Sequence, residues 1–288
     1  MKKSVTIPST IISIILGILI AYAGSHGSET YSGVALFAIC ASVSYVLHWI
    51  IFVPSYIYQT EHYFDLTGSI SYLSAIALAF YLNPSVDPRD LLIGGLIAIW
   101  AIRLGSFLFL RVKQDGKDNR FTVMKTQFHW YLMTWTIGGL WVFLTMAAGL
   151  AAITSDVSMP LGFMTYIGLA LWIVGFSIEV IADKQKRNFK REMNKEKEFI
   201  TTGLWAWSRH PNYFGEITLW AGLTLIALPV LSGWQLITLI SPVFVYILLT
   251  RISGIPMLEN RAIKKWGSDP EYMDYLEKTP SLIMKRPK

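Results

Sequence analysis

Leu228-Pro229-Val230-Leu231-Ser232-Gly233-Trp234 interrupts an apolar run that extends from Ile217 to Ile252. Unbroken, that run is far longer than the ~20 residues that cross ~30 Å of hydrocarbon. Pro229 and Gly233 both punctuate helices, so the run divides into two spans joined by a very short turn. Six apolar blocks of similar length precede it, and the expected spans are 7–24, 33–56, 66–82, 90–111, 129–153, 161–182, 213–231 and 234–251. The expected fold class is therefore all-α, a polytopic transmembrane helical bundle of seven to eight spans.

Composition agrees. Only 15% of the 288 residues are charged against 53% hydrophobic, where a soluble domain carries about 25% charge. A lone cysteine, Cys40, lies inside an apolar run. It excludes a disulfide framework and Cys-based metal sites, and reads as a small buried hydrophobe.

The basic residues test the span count independently. Taking the segments alternately, 23 of the 25 Lys and Arg fall on one side; Arg89 alone falls on the other, and Arg103 lies within a span. The positive-inside rule then places both termini in the cytoplasm, which in a bacterium makes this an inner-membrane protein. Lys2, Lys3 and Ala21-Tyr22-Ala23 also fit a signal peptide, but the apolar stretch is longer than a signal core, and an uncleaved first helix is the preferred reading. The chain reads as a single membrane domain over 1–288, with 1–30 as an extra N-terminal helix. The longest polar segment, 183–212, interleaves charges with Phe189, Phe199, Leu204, Trp205 and Trp207. That mixture predicts structure at the membrane surface, whereas Lys195 to Glu198 reads as a solvated charge run.

Ionisable residues at span depth carry the functional signal, because they cost free energy unless paired or hydrated. They are Glu61 and Asp65 entering the third span, Arg103 in the fourth, Glu179 and Asp183 ending the sixth, and Glu216 entering the seventh. All lie toward the cytoplasmic ends, as expected for a site facing that compartment and not for a transport path. Glu179 and Asp183 share a helix face, which Lys186, Arg187 and Lys190 extend beyond the membrane. Carboxylates followed by cations suit a ligand with hydroxyl or amide donors at one end and phosphates at the other. Pairing of those carboxylates with their own i+4 cations is the plainer alternative.

The densest segment is Gly203-Leu204-Trp205-Ala206-Trp207-Ser208-Arg209-His210-Pro211-Asn212-Tyr213-Phe214-Gly215-Glu216. Pro211 disfavours helix at His210 and suits the first turn of a new one, whose free N–H groups favour anions. Arg209 and His210 precede that terminus. Asn212 and Glu216 share a face one turn apart, and Gly215 permits close approach of a helix or a flat ligand. No His spacing suits a metal, and the net charge of +6 is explained by membrane-facing loops without nucleic acid.

Arg209-His210-Pro211-Asn212-Tyr213-Phe214-Gly215-Glu216 resembles the signature of steroid 5-alpha-reductase-like integral membrane proteins, in their bacterial branch. Supporting pieces are Ala182-Asp183-Lys184-Gln185-Lys186, Gly116-Lys117-Asp118-Asn119-Arg120-Phe121, Tyr63-Phe64-Asp65-Leu66-Thr67-Gly68 and Ser253-Gly254-Ile255-Pro256-Met257-Leu258-Glu259, so the resemblance covers roughly 60–280. It implies an oxidoreductase that binds NADPH from the cytosolic side, without a Rossmann fold, in a cofactor pocket closed by cytosolic loops and the C-terminal segment. Hydride would pass to a conjugated C=C of a lipophilic substrate, steroid- or isoprenoid-like, placing the protein in lipid metabolism.

The cofactor contacts implied are Glu179, Asp183, Asn212, Tyr213 and Glu216. His210 joins them, Arg187, Lys190 and Arg209 are assigned to the phosphates by their charge, and Glu259 and Arg261 lie near further contacts. In steroid-reducing relatives an early Glu and a Tyr handle the substrate carbonyl. Glu61 or Asp65 is the expected carboxyl group, kept protonated by an apolar pocket, with Gln59 beside it. Trp100 falls near the position of the Tyr, so Tyr63 or Tyr72 would have to substitute. Two rivals remain. One is a methyltransferase using S-adenosylmethionine, of the isoprenylcysteine or phospholipid type, which shares an Arg-His-Pro-x-Tyr-x-Gly element and a C-terminal Glu. The other is a transporter or lipid-binding scaffold.

Overall fold

The structure, a computed structural model, describes residues 2–116, 118, 120–191 and 199–287. The Lys195–Glu198 charge run, Lys117 and Asn119 lie outside them. Ten α-helices are described: α1 (Lys3–Gly24), α2 (Leu36–Ile57), α3 (Phe64–Leu82), α4 (Pro88–Asp115), α5 (Phe128–Ile153), α6 (Phe163–Arg191), α7 (Pro211–Ala227), α8 (Ile240–Ile247), α9 (Ile255–Trp266) and α10 (Pro270–Lys278). The strands among the described residues are the pairs Thr30–Tyr31 and Val34–Ala35, an antiparallel hairpin turning at Ser32 and Gly33, both at positive φ. Eight helical stretches are long and apolar enough to cross a membrane, the build of an integral membrane protein, and the all-α expectation holds.

Two spans differ from their expected form. α6 continues to Arg191 instead of stopping near 182. At 1.5 Å per residue its 29 residues exceed the hydrocarbon thickness, so its basic end stands beyond the apolar stretch. The last span is broken into a 3₁₀ segment (Gly233–Leu239), α8, a π turn (Leu248–Ile252) and α9. The turn at Leu228–Trp234 is where it was expected: Leu228–Val230 closes α7, and Ser232 caps the next segment in a capping box with Gln235.

The chain divides into two compact units, 1–165 with 226–241 and 166–225 with 242–288. In the first unit α5 is the hub, buried almost continuously from Thr136 to Ile153, with α1, α2, α3 and α4 packed around it. A helix that is apolar all round has no face to give to solvent. Gly139 lets α2 approach closely: a Cβ there would lie 3.1 Å from the Tyr45 Cα. Arg89 is buried at the start of α4, with its guanidinium donating to Thr165 Oγ1 (3.1 Å), the Ile226 carbonyl (2.6 Å) and the Pro160 carbonyl (2.9 Å). It ties three segments of this unit together.

In the second unit α6 and α7 meet along a glycine seam. A Cβ on Gly215 would lie 2.6 Å from the Gly175 carbonyl oxygen and 2.7 Å from the Glu179 nitrogen, and one on Gly222 2.5 Å from the Gly168 oxygen. Small residues let helix backbones touch in this way. The close approach at Gly215 is thus to a helix, the first of the two alternatives its sequence context allowed.

Candidate functional site

Two clusters of polar chemistry emerge, one in each unit. In the second unit, Pro211 opens α7 as expected, since its missing N–H is unneeded in a first helical turn. One turn of chain earlier, the buried Ser208 accepts the His210 N–H (3.1 Å) and donates to the carbonyls of Ser281 and Leu282 (3.2 and 2.9 Å). The Arg209 N–H reaches the Pro280 carbonyl at 2.9 Å, and the Lys285 N–H reaches that of Trp207 at 2.9 Å. The C-terminal residues 280–285 are therefore strapped to the segment that carries the signature.

Glu259 on α9 anchors this arrangement. Its Oε1 accepts from Arg209 Nε (3.0 Å) and Nη2 (2.7 Å), His210 Nε2 (3.3 Å) and Ser281 Oγ (3.0 Å). Arg209 Nη1 donates to the carbonyls of Leu276 and Thr279 at 2.7 and 2.8 Å. The guanidinium expected near phosphates is thus engaged within the chain. Burial pushes the His210 imidazole below its ordinary pKa; Lys186 and Arg209 add to the effect, and Glu259 opposes it without prevailing.

Arg209, His210 and Glu259 line a cavity of about 420 Å³. Lys186 and Lys190 reach it from α6, Arg261 and Lys265 from α9. Lys186 sits over the Trp205 ring, 4.5 Å from its centroid, and Trp205 is fixed by its Nε1 donating to the Ala182 carbonyl at 3.0 Å. Phe199, Trp266, Tyr272 and Tyr275 complete an aromatic wall, with Phe199 edge-on to Tyr272 at 5.0 Å. The Tyr275 hydroxyl donates to the Trp205 carbonyl at 2.7 Å. Burial raises the pKa of both tyrosines.

Of the expected contacts, Lys190, Arg209, His210, Glu259 and Arg261 border this cavity, while Arg187 does not. Glu179, Asp183 and Glu216 are buried and belong to the α6–α7 seam. Asn212 joins them there, its Nδ2 donating to Asp183 Oδ1 at 3.2 Å. Asp183 thus reaches across to α7, a contact its own helix does not supply. Tyr213 stacks on His210 with rings 10° from parallel and 5.6 Å apart, connecting the seam to the cavity wall. The sequence reading did not single out Ser208, Lys265, Trp266, Tyr272, Tyr275 or Ser281. Leu258, Glu259, Ala262, Lys265 and Trp266 follow helical spacing, which could have exposed one face of α9.

In the first unit, Glu61 is 4% exposed. Lys125 Nζ lies 2.5 Å from its Oε2, and the Asp118 N–H donates to Oε1 at 3.1 Å. Burial alone would raise the Glu61 pKa, but those donors prevail and hold it below the ordinary value. Glu61, expected as a protonated carboxyl group, instead accepts from Lys125 and the Asp118 N–H and so pins the loop following α4. Asp65 faces Arg120 at 3.6 Å and Arg111 at 3.7 Å. Asp118, paired with Arg120 at 2.5 Å, is likewise drawn below its ordinary pKa despite burial.

Tyr63 is half exposed and borders a second cavity, about 330 Å³, lined by apolar surface of α2 and α3 that includes Leu47, Ile51, Leu66 and Ile70. Gln59, at positive φ, bonds back to the Tyr56 carbonyl. Trp100 is fully buried and meets Tyr72 edge-on at 5.3 Å, so Tyr72 neighbours the tryptophan that falls near the expected Tyr position. No group of His, Cys, Asp and Glu among the described residues is arranged to hold a metal.

A family model described as "Protein of unknown function (DUF1295)" matches residues 49–279, and the chain belongs to that family. The match begins within α2 and leaves α1 outside. No curated protein and no solved structure matches the chain.

Proposed function

We propose that this member of the family is an NADPH-dependent membrane reductase acting on a conjugated C=C of a lipophilic substrate. The observation that carries the reading is the cavity of the second unit, where Lys186, Lys190, Arg261 and Lys265 stand around an aromatic wall while Glu259, the one carboxylate lining it among the described residues, is occupied by Arg209. Such a lining favours a polyanion bearing a flat ring system. It is unfavourable for the sulfonium of S-adenosylmethionine, so the methyltransferase reading is the weaker one.

Lys190, Arg261 and Lys265 would hold the phosphates, and the aromatic wall would stack the adenine. Asn212, oriented by Asp183, and Glu216 are the groups proposed for the nicotinamide carboxamide. The bound cofactor supplies the hydride. In the first unit, the apolar cavity suits the hydrocarbon body of a substrate, and Tyr63 at its edge is the hydroxyl proposed to donate a proton. Glu61, paired with Lys125 and the Asp118 N–H, is assigned to holding the loop. The cation-rich segments around the cofactor cavity are those that the charge bias assigns to the cytoplasm.

The test is nucleotide-dependent thermal stabilisation of detergent-purified protein. A ligand that binds only the native state at 100 times its Kd contributes about 2.7 kcal/mol. NADPH is expected to raise the unfolding temperature and S-adenosylmethionine to leave it unchanged. Stabilisation by the methyl donor alone would overturn the reductase reading.

A further inference from the structure

We propose that filling the second unit's cavity with a phosphate-bearing nucleotide draws one proton from solvent onto His210. The proposal rests on the cavity being a nucleotide site and adds how that site is regulated by pH.

His210 is 6% exposed and forms part of the cavity wall. Its Nε2 has Glu259 at 3.3 Å, and its Nδ1 is buried with no hydrogen-bond partner among the described residues. The charges facing the ring come from three elements: Glu259 on α9, Lys186 on α6 and the adjacent Arg209. Lys190, Arg261 and Lys265 border the same cavity. Glu259 supports a positive imidazole, but the same carboxylate oxygen already serves Arg209 and Ser281. Burial opposes a charge on His210 most strongly, and the cations around the cavity add to that opposition. A nucleotide diphosphate adds at least two negative charges beside these groups and offsets much of the positive field that opposes a charge on the ring. The neutral ring with an unmatched Nδ1 then becomes an imidazolium with Nε2 toward Glu259. Atoms and charge balance: one solvent proton is bound for each ligand bound, and no bond to the nucleotide is made or broken.

Linkage sets the sign of the effect. A complex that holds a proton the free protein lacks must bind more weakly as pH rises, by up to about tenfold per pH unit. A cationic ligand such as S-adenosylmethionine has the opposite field and draws no proton.

NADP⁺, stable in mild acid, is the probe. Calorimetric titration of the full-length protein in two buffers of different ionisation enthalpy, at pH 6.5, 7.0 and 7.5, counts the protons exchanged. Wild type is expected to take up more than His210→Gln, by up to about one proton. Any proton shed by the nucleotide's own phosphate is common to both proteins and cancels. Histidine-selective ¹⁵N spectra give a second readout on the unaltered chain, which has five His: one ring is expected to change from neutral to charged on adding NADP⁺. Binding with equal proton inventories and no ring changing state overturns the coupling alone. Failure of NADP⁺ to bind overturns the nucleotide reading together with it.

Discussion

Arg209 meets Glu259 through Nε and Nη2 on a single carboxylate oxygen, at 3.0 and 2.7 Å, while its Nη1 holds the Leu276 and Thr279 carbonyls. One side chain thereby joins the signature segment, α9 and the end of α10. Lysine has no planar fork with which to reproduce these directions. Arg209→Lys is expected to lower the unfolding temperature, with about 1.5–3 kcal/mol lost as charged hydrogen bonds are left unmade. An unchanged melting curve would show that the strap is held by other means.

Lys190 and Arg261 border the same cavity and are not part of that strap. Lys190→Ala and Arg261→Ala are expected to leave thermal stability within about 0.5 kcal/mol, as at ordinary surface positions. Each weakens NADPH several-fold and flattens the dependence of binding on salt, because one screened attraction is lost. Fluorescence titration of NADPH at two ionic strengths reads both effects. Weakening by Arg209→Lys with no effect at Lys190 or Arg261 would move the phosphate contacts elsewhere.

These contrasts bear on what a sequence can reveal. The spans were legible because about 20 apolar residues between polar ends is a one-dimensional pattern, and the alternating charge checked it. The Pro211 helix start was legible because a missing N–H is a local fact. What Arg209 touches was not, since Leu276, Thr279 and Glu259 lie 50 to 70 residues away. Nor does a carboxyl group announce its partners: Glu61 alone suggests a group neutralised by burial, and Lys125 and the Asp118 N–H, 64 and 57 residues on, reverse that.

Acid stability follows from those partners. Glu61 and Asp118 have folded-state pKa values below their ordinary 4.5 and 3.8. Each therefore adds stability that is complete above its ordinary value and is lost as pH falls through the folded-state value. His210, also lowered from 6.5, is a base: its neutral form is favoured on folding, so its contribution is complete above 6.5 and declines below. Unfolding temperature against pH is expected to fall in two stages, the first beginning below 6.5 and the second below 4.5. Removal of the first stage by His210→Gln, and reduction of the second by Glu61→Gln, would assign them. A profile unchanged by both variants would contradict the assignment.

The glycine seam makes a steric prediction. Gly215→Ala would drive a methyl group into the Gly175 carbonyl and the Glu179 nitrogen, both backbone and both under 3.0 Å from it. Backbone cannot rotate aside, so α6 and α7 must separate, at a cost of roughly 1–3 kcal/mol. Their separation would also stretch the 3.2 Å contact between Asn212 and Asp183. Lower unfolding temperature together with weaker NADPH binding is expected, whereas Asn212→Ala should weaken binding with stability nearly kept. Equal stability losses in the two variants would mean that Asn212 serves packing and not the cofactor.

Tyr63 and Tyr72 separate by the same logic of surroundings. Tyr63 is 51% exposed at the edge of the apolar cavity, whereas Tyr72 is 1% exposed with its ring packed edge-on between Trp100 and Trp141. A proton donor must reach its acceptor within about 3 Å, and an exposed hydroxyl meets that condition with no change in packing. Tyr63→Phe removes one oxygen and leaves the ring in place. It is expected to abolish most turnover of an enone-type lipid while the NADPH affinity stays at the wild-type value. Tyr72→Phe alters a buried aromatic contact and should change stability more than turnover. Rate and cofactor affinity measured together decide between them: full turnover in Tyr63→Phe with loss in Tyr72→Phe would transfer the role to the buried tyrosine, beside the tryptophan that occupies the expected position.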